Sequence, residues 1–558
     1  MQEASSFSVL KRPKTLKKLK IEVFDLIIIG GGITGAGIAL DAVSRGLRVC
    51  LVEKNDFASG TSNKSTKLIH GGLRYLKQLE IGLVRESGQE RAIVHKLAPH
   101  LVIPEKMLLP IIKGGTYGKM MTALGLKVYD YLANVQGPDS RRMLNKTETL
   151  QKESLLDETI VKGGGLYAEY RTDDARLTLE VLKKANRLGA TIINYCEIES
   201  FNYGSTSKID SLNCVDHITQ GTFTIKAKHY VSAAGPWVDT LRKKDDSINK
   251  KYLHLTKGVH LVFPKSKLPV KQPVYFDTPD GRMVFAIPRG KTTYVGTTDT
   301  TYTGDLNRVV ATKSDANYVV KAINNAFPNV NITINDISSN WAGLRPLIHE
   351  AGKSPSELSR KDELFISKSG LISIAGGKLT GYRKMAQRAL DAVIKNMSQE
   401  DKRALKPSKT EQITLVTPTL STNKDVNTYI KTLENTLKSL NINDPYYAWY
   451  LCTTYGKQTD IIIDKYKTFT DIVSSTERLI RSELWYCVHY EMTTNLADFF
   501  VRRTGRLYFN IESVVLYLDC ILKDITLYLD WNTSTVQLER HRIDQLIVDA
   551  TTYYDNDF

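Results

Sequence analysis

The stretch FDLIIIGGGITGAGIALDAVSRGLRVCLVE, residues 24 to 53, leaves few folds open to this chain. FDLIIIG is a continuous, largely β-branched apolar run, the pattern of a parallel strand buried on both faces. Gly30, Gly32 and Gly35 follow as G-x-G-x-x-G, and AGIALDAVSRG behind them reads as a helix. A second strand, LRVCLVE, closes on Glu53, 18 residues after Gly35, near the spacing of about 20 at which an acid meets ribose hydroxyls. Strand, glycine turn, helix and acid together predict an α/β nucleotide-binding (Rossmann-like) domain, with a pyrophosphate on the helix N-terminal amides. Gly31 and Thr34 belong to the same turn and are expected on the cofactor. An acid at that position fits an unphosphorylated ribose, which disfavours NADP and leaves NAD and FAD.

Three later stretches offer further contacts to the same ligand. GTSNKSTKLIHGG (60 to 72) is dense in hydroxyls and glycines, and places Thr61, Ser62, Ser65, Lys67, Leu68, His70, Gly71 and Gly72 as cofactor-lining residues. VSAAGPWVD (231 to 239) is a short strand ending in small residues; Ala234 and Gly235, beside Trp237, let a planar ring approach the backbone. LISIAGGKLTGYRKMAQRAL (371 to 390) repeats strand, Gly376-Gly377 and helix, so Lys378, Leu379 and Thr380 sit at a second helix N-terminus.

Read in order, IGGGITGAGIALDAVSRG, DFASGTS, STKLIHGGLRYL, RTDDARL, AAGPWVD, KGVHL, VGTTDTTYTGD, AGLRPL and GGKLTGYRKMA resemble the FAD-dependent glycerol-3-phosphate dehydrogenase family, within the D-amino-acid-oxidase-like flavoproteins. The resemblance runs from about Phe24 to about Met397. It implies FAD as cofactor and oxidation of glycerol 3-phosphate to dihydroxyacetone phosphate, with electrons passed to a membrane quinone. Gly381 stands where the family pattern leads one to expect a hydroxyl residue.

A three-carbon phosphate ester needs cations at one end and a proton acceptor at the other. Arg74 in HGGLRYL and Arg345 in AGLRPL are the expected phosphate clamp, with Pro346 stiffening the backbone beside Arg345. Charge-assisted bonds of this kind contribute about 1.5–3 kcal/mol each. His260, in KGVHLVFP, is the expected base, because a histidine pKa of about 6.5 suits proton exchange near neutrality. Lys378 is expected on the substrate hydroxyl or on negative charge at the reduced cofactor, with Tyr75 and Asp299 as further polar neighbours. The ten histidines and six cysteines show no metal-ligand or disulfide spacing, so no metal is expected, and a reducing compartment is.

QPVYFDTPDGRMVFAIPRGKTTYVGTTD reads as three antiparallel strands with turns at Pro279-Asp280-Gly281 and Arg289-Gly290-Lys291, a sheet to roof the substrate. RTDDARLTLEVLKKANRLGA reads as a helix returning the chain to the nucleotide domain. The expected organisation is a basic N-terminal arm, 1–22, and an FAD domain, 23–400, interrupted by substrate-binding segments near 80–165 and 240–345. A charged boundary at 398–412 leads to an all-α domain, 413–558, in which IKTLENTLKSL, TERLIRSELWYCVHYE, LADFFVRRTGRLYF and ESVVLYLDCILKDITLYL are helices.

With 76 basic and 60 acidic residues, the net charge of +16 favours an anionic partner. Two segments suit an anionic membrane surface: KRPKTLKKLK (11 to 20), with six basic residues, and the apolar MMTALGLKVYDYLANV (120 to 135), which includes Met120, Leu124, Leu126 and Leu132. No run is long enough to cross a bilayer, so the expected place is the cytoplasm, peripherally on the cytoplasmic face of a bacterial membrane. The alternatives are an oxidase of the same fold that passes electrons to oxygen, and a flavin-binding RNA-modification protein. The dispersed basic residues argue against nucleic acid. Whether the chain forms a homodimer is left open by the sequence.

Overall fold

The computed structural model describes residues 5–70, 80–115, 118–132, 139–248, 250–349 and 361–558. The opening apolar run forms the strand Val23–Ile29, with parallel neighbours on both sides: Val49–Val52 and Gly221–Ser232. Leu26, Ile27 and Ile28 are fully buried, which is why the run has no polar alternation. The sheet runs Asp362–Ile366, Leu371–Gly376, Gly221–Ser232, Val23–Ile29, Val49–Val52, Thr191–Ile193. Helix Ile33–Ser44 packs on it between Asp174–Arg187 and Tyr382–Lys395, the three sharing one core through Ala36, Ala39, Leu179, Val181, Ala386 and Ala389. Gly37 allows the close approach, since a Cβ there would lie 2.9 Å from the Tyr382 ring. Asp173 caps the returning helix by accepting from Arg176 N, as its periodicity predicts.

Two further strands, Cys196–Tyr203 and Ile209–Asp216, form an antiparallel meander with Gly221–Ser232. The basic stretch near the start is not a loose arm. It forms the helix Arg12–Ile21, whose Leu19 enters the core with Phe24 and Ile27. Arg12 is buried against Asp216 (2.5 Å) and the Asn194 carbonyl (2.7 Å); Lys14, Lys17 and Lys20 remain exposed there, and Lys11 and Lys18 are half-buried.

The second sheet runs Thr300–Thr301, Leu253–Pro264, Thr292–Gly296, Met283–Arg289, Val274–Asp277, Ile103–Ile112, Val161–Arg171, Leu68–Ile69, with Ser339–Ile348 added beside Leu253–Pro264 and Arg142–Asn145 beside Val161–Arg171. The three strands expected from the hairpin signals pair antiparallel within it. Helix Lys313–Ala326 covers one face, packing Ala316, Val319 and Ile323 on Val259, Leu261 and Val295. On the other face Tyr294 and Trp341 pack against Tyr508 and Phe509 of the helical region.

Helices Asn423–Ser439, Tyr446–Tyr455, Thr459–Thr468, Ser475–Tyr490, Ile511–Leu529 and Thr533–Thr551 surround a core of their own, with Tyr429, Leu451, Leu484, Phe499 and Ile521 at its centre. LADFFVRRTGRLYF is not one helix. A π-helical turn, Asp498–Arg503, is followed by Gly505 at φ +66° and the short helix Arg506–Phe509. The charged boundary is also structured: Ser398 caps a short helix, Gln399–Arg403, and buried Thr410 accepts from Arg383 Nη1 at 3.1 Å. In helix Lys119–Leu132, Leu126 and Tyr129 are buried while Met120, Met121, Leu124 and Tyr131 are exposed; 133–135 lie outside the described residues. Among the described residues, no helix is long and apolar enough to cross a membrane.

Candidate functional site

A cavity opens at the C-terminal ends of the parallel strands, where ligands bind in open α/β sheets. Gly30 takes φ +115° at the turn, and a Cβ on it would meet the Ala233 carbonyl oxygen at 2.5 Å. Gly35 seats the following helix on that turn, since its Cβ would lie 1.9 Å from the Gly30 carbonyl oxygen. Glu53 accepts from Gly31 N (2.6 Å) and Asn55 N (2.8 Å), so its carboxylate braces the turn while also facing the cavity. Burial pushes its pKa up against those two hydrogen bonds.

The cavity collects much of what the sequence singled out. Gly30, Gly32, Thr34, Glu53, Thr61 and Ser62 line it from the first half of the chain. Ala234, Gly235 and Trp237 line it from the middle, and Gly376, Gly377, Lys378 and Leu379 from the second glycine turn. Gly31 and Gly35 stand behind the lining, and buried Thr380 donates to the His70 carbonyl at 3.3 Å. His70, Ser65, Lys67 and Leu68 also lie away from the lining. Lys67 is 1% exposed with its ammonium on Asp174 (2.6 Å) and the Asn63 carbonyl (2.9 Å), so an internal ion pair takes the charge meant for the cofactor. Ser65 accepts from Lys67 N and donates its own N–H to Asp174, and Leu68 is core. Gly71, Gly72, Arg74 and Tyr75 lie outside the described residues.

Other lining residues were not foreseen. Lys54 lies 4.3 Å over the Trp237 ring, and its position directly after Glu53 was the available signal. Cys196, Glu197 and Lys244 line the same end, the first two from a strand the sequence reading did not separate.

Cross-strand register aligns Trp341, His260, Gly296, Phe285 and Tyr275 on the inward face of the second sheet. The space above Gly296 is filled by the His260 ring, whose Cδ2 is 2.3 Å from where a Cβ would be. His260 stacks on Trp341 at 4.8 Å, its Nε2 meets Thr66 Oγ1 at 3.0 Å, and its Nδ1 has no partner among the described residues. Burial, reinforced by Arg345 and Lys67, holds its pKa well below the ordinary value. Burial thus favours the uncharged imidazole and works against the titration near neutrality expected of His260. Arg345 lies over Gly258, where a Cβ would come within 2.4 Å of Nη2. It donates to the Thr298 carbonyl and Asp299 (3.1 Å each) and to Thr297 Oγ1 (2.9 Å). Asp299 is thus the carboxylate that orients Arg345, and neighbouring Pro346 lines the cavity.

The donor set fits FAD. Glycines admit backbone to a long ligand on two helix N-terminal sides, and Trp237 Nε1, on the cavity wall, is buried without a partner among the described residues. Among those residues no cluster suits a metal ion.

The FAD dependent oxidoreductase family model matches residues 25–383, and the model for the C-terminal domain of alpha-glycerophosphate oxidase matches 410–536. The chain is 48% identical to the aerobic glycerol-3-phosphate dehydrogenase of Bacillus subtilis (strain 168) over 548 residues, 98% of each chain. It is 47% identical to that of Staphylococcus aureus (strain MRSA252) over 546 residues, again 98% of each. The solved glycerol-3-phosphate dehydrogenase from Bacillus halodurans, complexed with FAD, superposes with a TM-score of 0.83 at 41% identity, covering 98% of this chain and 99% of that one. The likeness thus runs along whole chains, and this protein belongs to the FAD-dependent oxidoreductases, in the aerobic glycerol-3-phosphate dehydrogenase family.

Proposed function

We propose that the protein oxidises glycerol 3-phosphate to dihydroxyacetone phosphate with FAD and passes the electrons to a membrane quinone. The observation that carries this reading is a dinucleotide cavity lined by Pro346, whose neighbour Arg345 is oriented by Asp299, on a sheet that also holds the buried His260 with Nδ1 unmatched among the described residues. The names of the full-length relatives support the same substrate.

Arg345, together with Arg74, binds the phosphate; its contacts to Thr297, Thr298 and Asp299 keep the guanidinium in place before substrate arrives. Bound FAD supplies the acceptor for the two electrons and the hydrogen that leave carbon 2. His260 takes the hydroxyl proton at Nδ1. The positive charge of Arg345 is one reason the imidazole stays neutral, and a phosphate dianion on Arg345 offsets that repulsion, so substrate itself raises the basicity of His260. Lys378, on the cavity wall, bonds the carbon 2 oxygen, and Glu53 holds the ribose hydroxyls.

Helix Lys119–Leu132 supports a membrane-borne acceptor. Met120, Met121, Leu124 and Tyr131 are exposed at helical spacing with Lys127 beside them, an amphipathic surface suited to the headgroup boundary. Lys14, Lys17 and Lys20 of the docked basic helix add attraction to anionic lipid, about 1 kcal/mol each before screening. Two assays test the acceptor and the membrane. Substrate-reduced protein is expected to reoxidise quickly with a short-chain quinone and slowly in air; fast reoxidation in air with peroxide would make it an oxidase. Sedimentation with anionic vesicles is expected, and should weaken in Met121→Glu/Leu124→Glu; binding unaffected by that pair would remove this helix as the contact.

A further inference from the structure

The helical C-terminal region carries no catalytic motif, yet its last described residues lie on the roofing sheet. After helix Thr533–Thr551 the chain crosses to the loop 297–312, which joins strand Thr292–Gly296 to helix Lys313–Ala326. Asp549 pairs with Arg308 at 2.9 Å, and the Phe558 ring covers the same guanidinium at 4.0 Å. Asp305 N donates to the Phe558 backbone oxygen at 2.7 Å, and Lys313 N to the Tyr554 carbonyl at 2.8 Å. Gly304 is needed for that approach, since a Cβ on it would lie 2.3 Å from the Phe558 oxygen. Asp557 reaches Lys257 at 2.5 Å, and Asp315 holds the other side of this buried ammonium at 2.7 Å.

The opposite end of the same loop supplies three hydrogen-bond partners of Arg345: Thr297, Thr298 and Asp299. The loop is stitched to the strand beneath by Val259 N on Thr298 Oγ1 (3.0 Å) and Tyr302 N on the Leu255 carbonyl (2.9 Å). Lys257 and Val259 flank Gly258, over which the Arg345 guanidinium lies. One continuous set of contacts therefore runs from the helical region, through the loop and the strand, to the arginine.

We propose that segment 549–558 is a strap that positions Arg345, with Asp557 as a positioning residue acting through Lys257 and loop 297–312. The strap does not touch the cavity lining, so its effect falls on substrate binding and leaves FAD in place. This rests on the reading of Arg345 as the phosphate ligand.

Asp557→Asn, in the full FAD-loaded chain, is expected to raise KM for glycerol 3-phosphate about tenfold, with kcat within about twofold and flavin content unchanged. Asp557→Glu should restore most of the loss. Hydrogen exchange across 297–312 should quicken in Asp557→Asn with no substrate present. Gly304→Ala, which displaces the Phe558 backbone rather than a charge, should give the same pattern. On an Arg345→Lys background, Asp557→Asn should add little, because the strap acts through that arginine. Unchanged KM and unchanged exchange in both strap variants would overturn the proposal, as would an undiminished effect on the Arg345→Lys background. If wild-type protein fails to oxidise glycerol 3-phosphate, the functional reading falls, and the exchange measurement still decides whether the strap holds the loop.

Discussion

Buried charges meet at the seam between the helical region and the first sheet, and buried polar groups also surround the cavity, but the two sets are arranged in opposite ways. At the seam, cations saturate the carboxylates Asp56 and Glu491. Asp56 accepts from Arg502 and from both terminal nitrogens of Arg503 (2.5 and 2.9 Å). Glu491 takes Arg176 through both oxygens (2.6 and 2.7 Å) and Lys183 at 2.8 Å, while Lys183 also meets Glu180. Burial alone would raise the Asp56 pKa, but Arg503 and Arg502 outweigh it and hold the carboxyl at about 2. Around the cavity, burial wins instead. It pushes Glu53 up, drives His260 far down, and leaves His260 Nδ1 and Trp237 Nε1 unmatched among the described residues. The matched carboxylates fix where domains sit, and the unmatched Trp237 Nε1 marks a place on the cavity wall where a ligand completes the structure.

The comparison breaks most easily at the seam. Arg503→Ala leaves Asp56 short of its bidentate partner in a fully buried place, and should cost about 3–5 kcal/mol. Thermal unfolding reads this directly, and a melting point within a degree or so of wild type would show that the seam does not carry stability. Because Asp56 lies three residues beyond Glu53, the same variant should also release FAD more readily.

On the cavity side, Arg345→Ala should raise KM about 10- to 100-fold, the worth of a charged hydrogen bond to phosphate, with flavin still bound. Flavin loss instead would place this arginine on the cofactor. A smaller effect concerns pH. His260 has a folded-state pKa well below 6.5, and His100, buried beside Arg176 and Lys183, sits at about 3. The unfolded chain therefore binds protons that the folded chain refuses, so stability is lost as pH falls below about 6.5. Between pH 6.5 and 5 each histidine should remove up to about 2 kcal/mol, and His260→Asn should flatten its share of that slope. Equal slopes in both proteins would mean the imidazole is already protonated in the fold. Glu53→Ala is the mildest change: loss of its two backbone bonds should weaken FAD about 5- to 30-fold in a dialysis titration.

Much of this was legible locally. FDLIIIG announces a strand buried on both faces because four consecutive positions, Leu26 to Ile29, are apolar, and Gly30 and Gly35 are demanded by backbone contacts as close as 1.9 Å. The hairpin strands and the helix Asp174–Arg187 follow from turn residues and periodicity. What was hidden depends on distant partners. Arg12 looks like part of a solvated basic arm until Asp216 is folded against it. Lys67 looks like a cofactor ligand until Asp174 takes its charge. The split of LADFFVRRTGRLYF follows from Gly505 and from the acid that both arginines share, neither of which alters the helical spacing of its apolar residues. The pKa of His260 is lowered by burial in the folded sheet and then by Arg345 and Lys67, none of which a window around His260 reveals.

The most direct test of the account is the visible spectrum of the purified, FAD-loaded protein, recorded anaerobically while glycerol 3-phosphate is added. The account predicts prompt bleaching of the flavin bands with wild-type protein, and bleaching only at much higher substrate concentration with Arg345→Ala. A spectrum that glycerol 3-phosphate leaves unchanged in FAD-loaded wild-type protein would contradict it.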